Sequence, residues 1–283
     1  MKRWKTFAGA AVGTVLAGGA AAVGAGRAAW YRQTARALAR LRGAAHAGPQ
    51  QPPLTHEQLD ALPGPVARYL KMALPDGLER PAVVRVVWSG HFQSRPAGGW
   101  APFDAVQTFT TVPPGFVWDA SIRMLPLLPV QVRDSYIAGG ATMNGRMAGI
   151  LPVVNESGNE ELAQSALTRW LGESAWFPAV LAREPVTWEA VSEHVARATV
   201  TDGAVQASAE FHFNPTGEIS RLTAERHRSV DGRNVLTPFE GRYFSYIRWN
   251  RVMVPARAEV AWLLPEGRYP YWRGTVERIE HEQ

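Results

Sequence analysis

Residues 159–178, NEELAQSALTRWLGESAWFP, form the best-defined helical stretch of the chain, and the sequence on both sides of it alternates with the period of strands. A helix with one apolar face needs a wall to pack on, and here only β-structure can supply it. Asn159 is placed to cap the first free N–H groups, and Glu160 and Glu161 sit in the first turn, where the helix dipole favours negative charge. Leu162, Ala166, Leu167, Trp170 and Leu171 then share one face. Gly172 reads as the glycine that stops the helix, 173–176 as a corner, and Pro178 as the start of a short second helix.

The flanking strands are read from alternation. Val84, Val86, Trp88 and Phe92 alternate with Arg85, Ser89 and His91, and Phe116, Trp118, Ala120 and Ile122 alternate with Asp119, Ser121 and Arg123. About eleven strands follow from this reading, joined by short turn-rich connectors that suit antiparallel hairpins. Before them, Thr55 and Gln58 form a capping pattern, and Pro63 and Pro65 restart a helix with Val66, Tyr69, Leu70 and Leu74 on one face. An antiparallel sheet of that size is expected to curl or close. The fold class expected is mainly β (α+β): a large curled antiparallel sheet, a half-barrel or open barrel, with helices in its concave face.

The amino terminus reads differently. Residues 1–42 hold eight Lys or Arg and no acid, which leaves 22 bases against 25 acids elsewhere, so the calculated pI of 9.8 describes one segment and not the domain. Nucleic acid is therefore not an expected partner. Residues 6–26 carry no charge and are long enough for a bilayer, at about 1.5 Å per residue. This predicts an N-terminal transmembrane helix. It would bind membrane lipid through 6–26 and the Arg-rich stretch that follows, and would carry an extracytoplasmic soluble domain; a cleaved secretory signal is the other reading. The G-x-G-x-x-A spacing of Gly24, Gly26 and Ala29 lacks the preceding strand and later acid of a dinucleotide site. The domain organisation expected is 1–42 as anchor or signal with a basic juxtamembrane stretch, 43–54 as linker, and 55–283 as a single β-rich domain.

The cluster Arg169, Leu171, Glu173, Trp176 and Pro178, together with Trp100-x-Pro102-Phe103, Phe116-x-Trp118 and Asp134-x-Tyr136, resembles an uncharacterised family of bacterial membrane-associated proteins, over about residues 62–281. That family's shape is in turn similar to the half-barrel lipoprotein carriers of the bacterial envelope, the LolA-like group. The resemblance implies a fold and no activity.

Arg169 and Glu173, four apart, are candidates for a structural ion pair. Asp104, Asp119 and Asp134 sit in predicted strands, as acid–base groups of a hydrolase or as residues facing water on the polar side. The seven histidines show no metal-ligand spacing, cysteine is absent, and no metal or cofactor is expected. No nucleophile motif occurs, so a catalytic role is left open, leaning against an enzyme. The 11 Trp fill a core or line an apolar cavity. In the second case Trp118, Tyr136, Trp170, Trp176 and Phe177 would line the hollow and hold a lipid or other apolar molecule in a membrane-anchored envelope protein. The alternative is a structural or protein-interaction module with a solid core, which predicts an exposed apolar patch instead of a continuous cavity.

Overall fold

A computed structural model describes residues 2–45, 52–124 and 129–282; the side chains of 2–18 and 20 lie outside that description. So do residues 46–51 of the expected linker at 43–54. Thirteen strands form one sheet, and every pairing in it is antiparallel.

The strands come as two meanders. The first runs through β1 (Val83–Phe92), β2 (Ala101–Thr110), β3 (Gly115–Ile122), β4 (Val130–Ile137), β5 (Gly140–Met147) and β6 (Leu151–Ser157). The second runs through β7 (Val186–Ser192), β8 (Val195–Asp202), β9 (Val205–Phe213), β10 (Ile219–Val230), β11 (Arg233–Trp249), β12 (Val252–Leu264) and β13 (Gly267–Glu282). Each strand pairs with its chain neighbour, and the one exception, β1 with β13, joins the two meanders at the centre. The two edges are therefore β6 and β7, and the chain passes from one to the other through α3 (Glu160–Glu173). The sheet is open. Its end strands do not pair, which corrects the expected curled half-barrel or open barrel.

Both edges are interrupted. In β6, Gly145 pairs Val154 and Arg146 pairs Pro152, so Val153 is left over as a bulge. Val191 is left over in the same way between Ala190 and Ser192 of β7. A bulge or a proline on an edge breaks the row of backbone groups that another strand would need.

α3 packs against β3, β4 and β5 from one meander and β9 and β10 from the other. Asn159 caps it, accepting the Leu162 N–H at 2.6 Å. Gly172 does not end it: the helix continues through Glu173, and a 3-10 turn follows at Ser174–Trp176. The reason lies in tertiary contacts. The Tyr243 hydroxyl donates to the Gly172 carbonyl at 2.8 Å, satisfying a carbonyl that a left-handed cap would otherwise serve, and a Cβ at Gly172 would sit 3.4 Å from Leu222. Trp170 is fully buried with its indole N–H on the Thr110 carbonyl at 2.9 Å. A shorter pair, the 3-10 turn Glu57–Ala61 and α2 (Gly64–Ala73), covers the neighbouring core with Leu59, Val66, Tyr69 and Leu70.

The largest departure from the sequence reading is α1 (Lys2–Ala45), a single helix of 44 residues. Its second half lies on β2, β3 and β4. Trp118 and Asp119 are consecutive in β3 and so point to opposite faces of the sheet. The Arg169 guanidinium of α3 lies 5.1 Å from the Trp118 ring, whereas Asp119 receives the Trp30 indole N–H of α1 at 3.0 Å. α1 therefore covers the face opposite α3. Trp30, Leu41 and Ala45 are buried there, the Arg133 guanidinium sits 4.5 Å over the Trp30 ring and donates to Thr34 at 3.0 Å, and Arg42 pairs with Glu282 at 2.8 Å.

This overturns the membrane reading. Among the described residues no helix is long and apolar enough to cross a membrane. The stretch read as a juxtamembrane partner of lipid spends Trp30, Leu41 and Arg42 on the sheet instead. The expected transmembrane helix, the lipid partnership through 6–26 and the extracytoplasmic placement that depended on an anchor are corrected accordingly. Asp119, read as facing water, lies under that helix.

Candidate functional site

A recess lies beside α3, a cleft of about 540 Å³ walled by the helix on one side and by β10–β13 on the other, with Trp118 and Asp134 of the first meander contributing. A volume of this order is that of a small-molecule site.

One wall is charged. The Arg169 Nη1 donates to Asp134 Oδ2 at 2.7 Å and its Nε donates to Glu173 Oε1 at 2.9 Å. All three side chains are largely buried, at 13–17% exposure, so neither carboxylate is screened by water as a surface partner would be. The Gln107 amide donates to the other Glu173 oxygen at 2.7 Å. Burial works against the charge on Arg169, but Glu173 and Asp134 outweigh it and hold the guanidinium above its ordinary value. Burial also pushes the Glu173 carboxyl up, opposed by Arg169. The guanidinium lies against two rings, 5.0 Å from Phe116 and 5.1 Å from Trp118, which fixes it further.

The other wall is aromatic. Trp176, Trp262, Trp272 and Tyr271 line it, with Trp262 stacked on Tyr271 at 5.7 Å and 15°. The Trp176 indole N–H is used by the Pro255 carbonyl at 2.8 Å. That of Trp118, a residue 5% exposed, is buried with no partner in the protein.

Of the five residues expected to line a hollow, Trp118 and Trp176 reach the cleft. Trp170 and Phe177 belong to the solid core, where Phe177 packs on Phe109 at 4.7 Å and on Trp170 at 5.7 Å. Tyr136 is fully buried and its hydroxyl donates to Asp202 at 2.8 Å, with burial pushing its ionisation far up. The expected apolar hollow is thus corrected in kind as well as shape: with the Arg169 triad in its wall, the cleft is not continuously apolar. The three aspartates do not converge as a hydrolase would need, since Asp104 pairs with Arg123 on the exposed side, Asp119 binds Trp30 and Asp134 binds Arg169. Among the described residues no group of three His, Asp or Glu side chains could hold a metal ion.

Sequence reasoning missed Arg226 and Arg228, which line the cleft from β10. A signal was present. Leu222, Ala224, Arg226 and Arg228 alternate along one strand and share one face, so a face that starts apolar continues with two cations.

The fold and cleft define a class: an open antiparallel β-meander module whose two edges are linked by a helix packed across one face. Within that class, residues 60–281 match the model of a family of unknown function, DUF6920, and the chain belongs to that family. Comparison with curated protein sequences finds no match. Among solved structures the chain is similar to a LolA-superfamily protein from Nitrosomonas europaea, at 12% identity over 81% of this chain and 94% of that one, with a TM-score of 0.43. It is also similar to a DUF1329-family protein from Desulfovibrio piger, at 8% identity over 80% and 92%, with a TM-score of 0.41. Both are distant likenesses of fold.

Proposed function

We propose that this chain is a protein-interaction module whose contact surface is the corner between β5 and β6. The observation that carries the reading is a short run of large apolar side chains left in water: Ile150 is 40% exposed, Leu151 59% and Val153 47%. Seven other large apolar side chains are exposed among the described residues, but they are single or paired, as with Val235 and Leu236, and only this corner brings three within four positions. The corner is also held in place. A Cβ at Gly26 of α1 would lie 2.6 Å from both the Gly149 carbonyl and the Ile150 side chain, so only glycine lets the helix brace the turn so closely.

The interruptions in β6 set the mode of contact. With Pro152 and the Val153 bulge in the edge, a partner cannot extend the sheet and meets side chains instead.

The test is a photo-crosslinking residue at Leu151 in the full-length protein, expressed in its own host. One defined protein should be captured, and Val153→Asp should abolish the adduct while leaving the melting temperature unchanged, because the residue is exposed. Absence of an adduct, or capture that survives Val153→Asp, would overturn the reading.

A further inference from the structure

The cleft beside α3 is lined by four arginines and four acids, yet two of the arginines have no carboxylate beside them. Its lining contains Arg169, Arg226, Arg228 and Arg242. Arg169 is taken up by Asp134 and Glu173, and Arg242 by Glu240 at 2.8 Å. Of the other two acids, Glu259 is engaged by Arg268 at 2.6 Å and Arg273 at 2.5 Å, and Glu156 of β6 makes no ion pair among the described residues. Arg226 and Arg228 have no carboxylate within ion-pair distance among the described residues. They nevertheless project from the same face of β10, two residues apart, and their guanidinium carbons lie 5.8 and 6.0 Å from the one Trp262 ring.

Like charges on adjacent positions of a strand face repel, and both are half-buried, so the arrangement costs stability unless something outside the chain supplies a counter-charge. Arg226 is partly spoken for, since its Nε donates to the Ser165 carbonyl at 3.0 Å and its guanidinium stacks on Phe239 at 4.7 Å. Together with the Tyr271 hydroxyl, which its guanidinium also engages, this fixes its position. Arg228 is less engaged: its Nε is buried and has no hydrogen-bond partner. Trp118 adds a second unmet valence, a buried indole N–H among the residues that line the same cleft.

We propose that the cleft is a binding site for a small organic carboxylate. The acidic group is received by Arg228 and Arg226, and the apolar body lies against Trp262, Trp176 and Trp272. The guanidinium fork suits a carboxylate bidentately, and fixed aromatic walls select a flat or compact body. A neutral apolar molecule leaves both cations unpaired and is not the class this site takes. The inference is independent of the β5–β6 corner, which involves none of these residues.

The experiment is isothermal titration calorimetry of the full chain with 2-naphthoate and with its neutral counterpart 2-naphthamide, repeated on Arg228→Gln. Arg228 makes no hydrogen bond that the fold depends on, so the variant should melt at or above the temperature of the parent. 2-Naphthoate should bind saturably. 2-Naphthamide should bind at least tenfold more weakly, and Arg228→Gln should lose at least tenfold for the acid with no change for the amide. Equal binding of acid and amide, undiminished binding by Arg228→Gln, or no saturable binding of 2-naphthoate, benzoate or hexanoate would each overturn the proposal.

Discussion

The Trp30 indole N–H donates to Asp119 across 3.0 Å, tying α1 to the middle of the sheet over 89 residues of chain. The contact makes the basic amino-terminal segment a structural part of the domain. Burial pushes the Asp119 carboxyl above the ordinary carboxylate value, and the Trp30 hydrogen bond opposes that shift. A raised folded-state pKa means that the native state takes up a proton more readily than the unfolded chain, so the ionised form is the costly one and acidification relieves it.

Trp30→Phe should therefore cost about 1.5–3 kcal/mol at pH 7, the worth of a hydrogen bond to a charged group. The deficit should shrink as the pH falls toward the ordinary aspartate range, because protonation removes the charge that the bond served. Urea unfolding at pH 7 and pH 5 measures both; a deficit independent of pH would show that Asp119 is not the group responsible.

The Asp134–Arg169–Glu173 triad gives an asymmetric prediction. Arg169→Met leaves two buried carboxylates without a cation and should cost about 3–5 kcal/mol. Glu173→Gln leaves one cation with one carboxylate and keeps an oxygen for the Gln107 amide, so it should cost far less. Because the Glu173 carboxyl is raised by burial, the parent should gain stability on acidification through that pKa, and Glu173→Gln should flatten the gain. Denaturant midpoints of the three proteins at two pH values would show the order.

Glu240 behaves in the opposite sense. It is 3% exposed and receives Arg268 at 2.6 Å and Arg242 at 2.8 Å. Burial alone would raise its carboxyl, but those hydrogen bonds and charges outweigh it and hold it below the ordinary glutamate value. Its contribution is present above the unfolded pKa and is lost as the pH falls through the lower folded one. Glu240→Gln should destabilise at pH 7 and converge on the parent only once the pH has fallen below the ordinary glutamate range. Thermal melts from pH 7 to pH 2.5 would reveal the convergence.

Trp170 anchors α3 in the core and should tolerate little. Trp170→Ala removes a fully buried ring and strands the Thr110 carbonyl, for a loss of about 3–5 kcal/mol. Trp118→Phe, at the cleft wall, deletes an indole N–H that has no partner and should cost under about 1.5 kcal/mol. Equal losses at the two sites would mean that the cleft is as tightly packed as the core.

Period-two alternation made most of the sheet legible, and the Asn159 cap and the apolar stripe of α3 were equally plain. β6 was not, because LPVVNES runs apolar and then polar without alternating, as an exposed edge strand with a bulge can. The open form was hidden for another reason: strand number bears on curvature, whereas the end pairings that decide closure leave no mark on composition. α1 misled because an Ala- and Gly-rich run followed by arginines looks alike whether its partner is lipid or protein, and only the position of Asp119 beneath Trp30 decides. In the cleft, Trp118 and Trp176 were legible as aromatics near the helix. Trp170 and Phe177 were equally aromatic and turned inward, a difference set by helix phase against the sheet and not by residue type. Arg226 and Arg228 drew no reading of their own, although they share a face with Leu222.

The seam between β1 and β13 sets the order in which such a molecule can assemble. Every other pairing in the sheet joins neighbours in sequence, whereas Val83 meets Glu282 across roughly 200 residues of chain, a closure whose entropic cost no local contact offsets. Two meanders can each form early from their own hairpins, and the central seam waits until both β1 and β13 are present. Until β13 has emerged from the ribosome the chain holds two half-sheets with no strand between them, and it is this one strand that turns them into one protein.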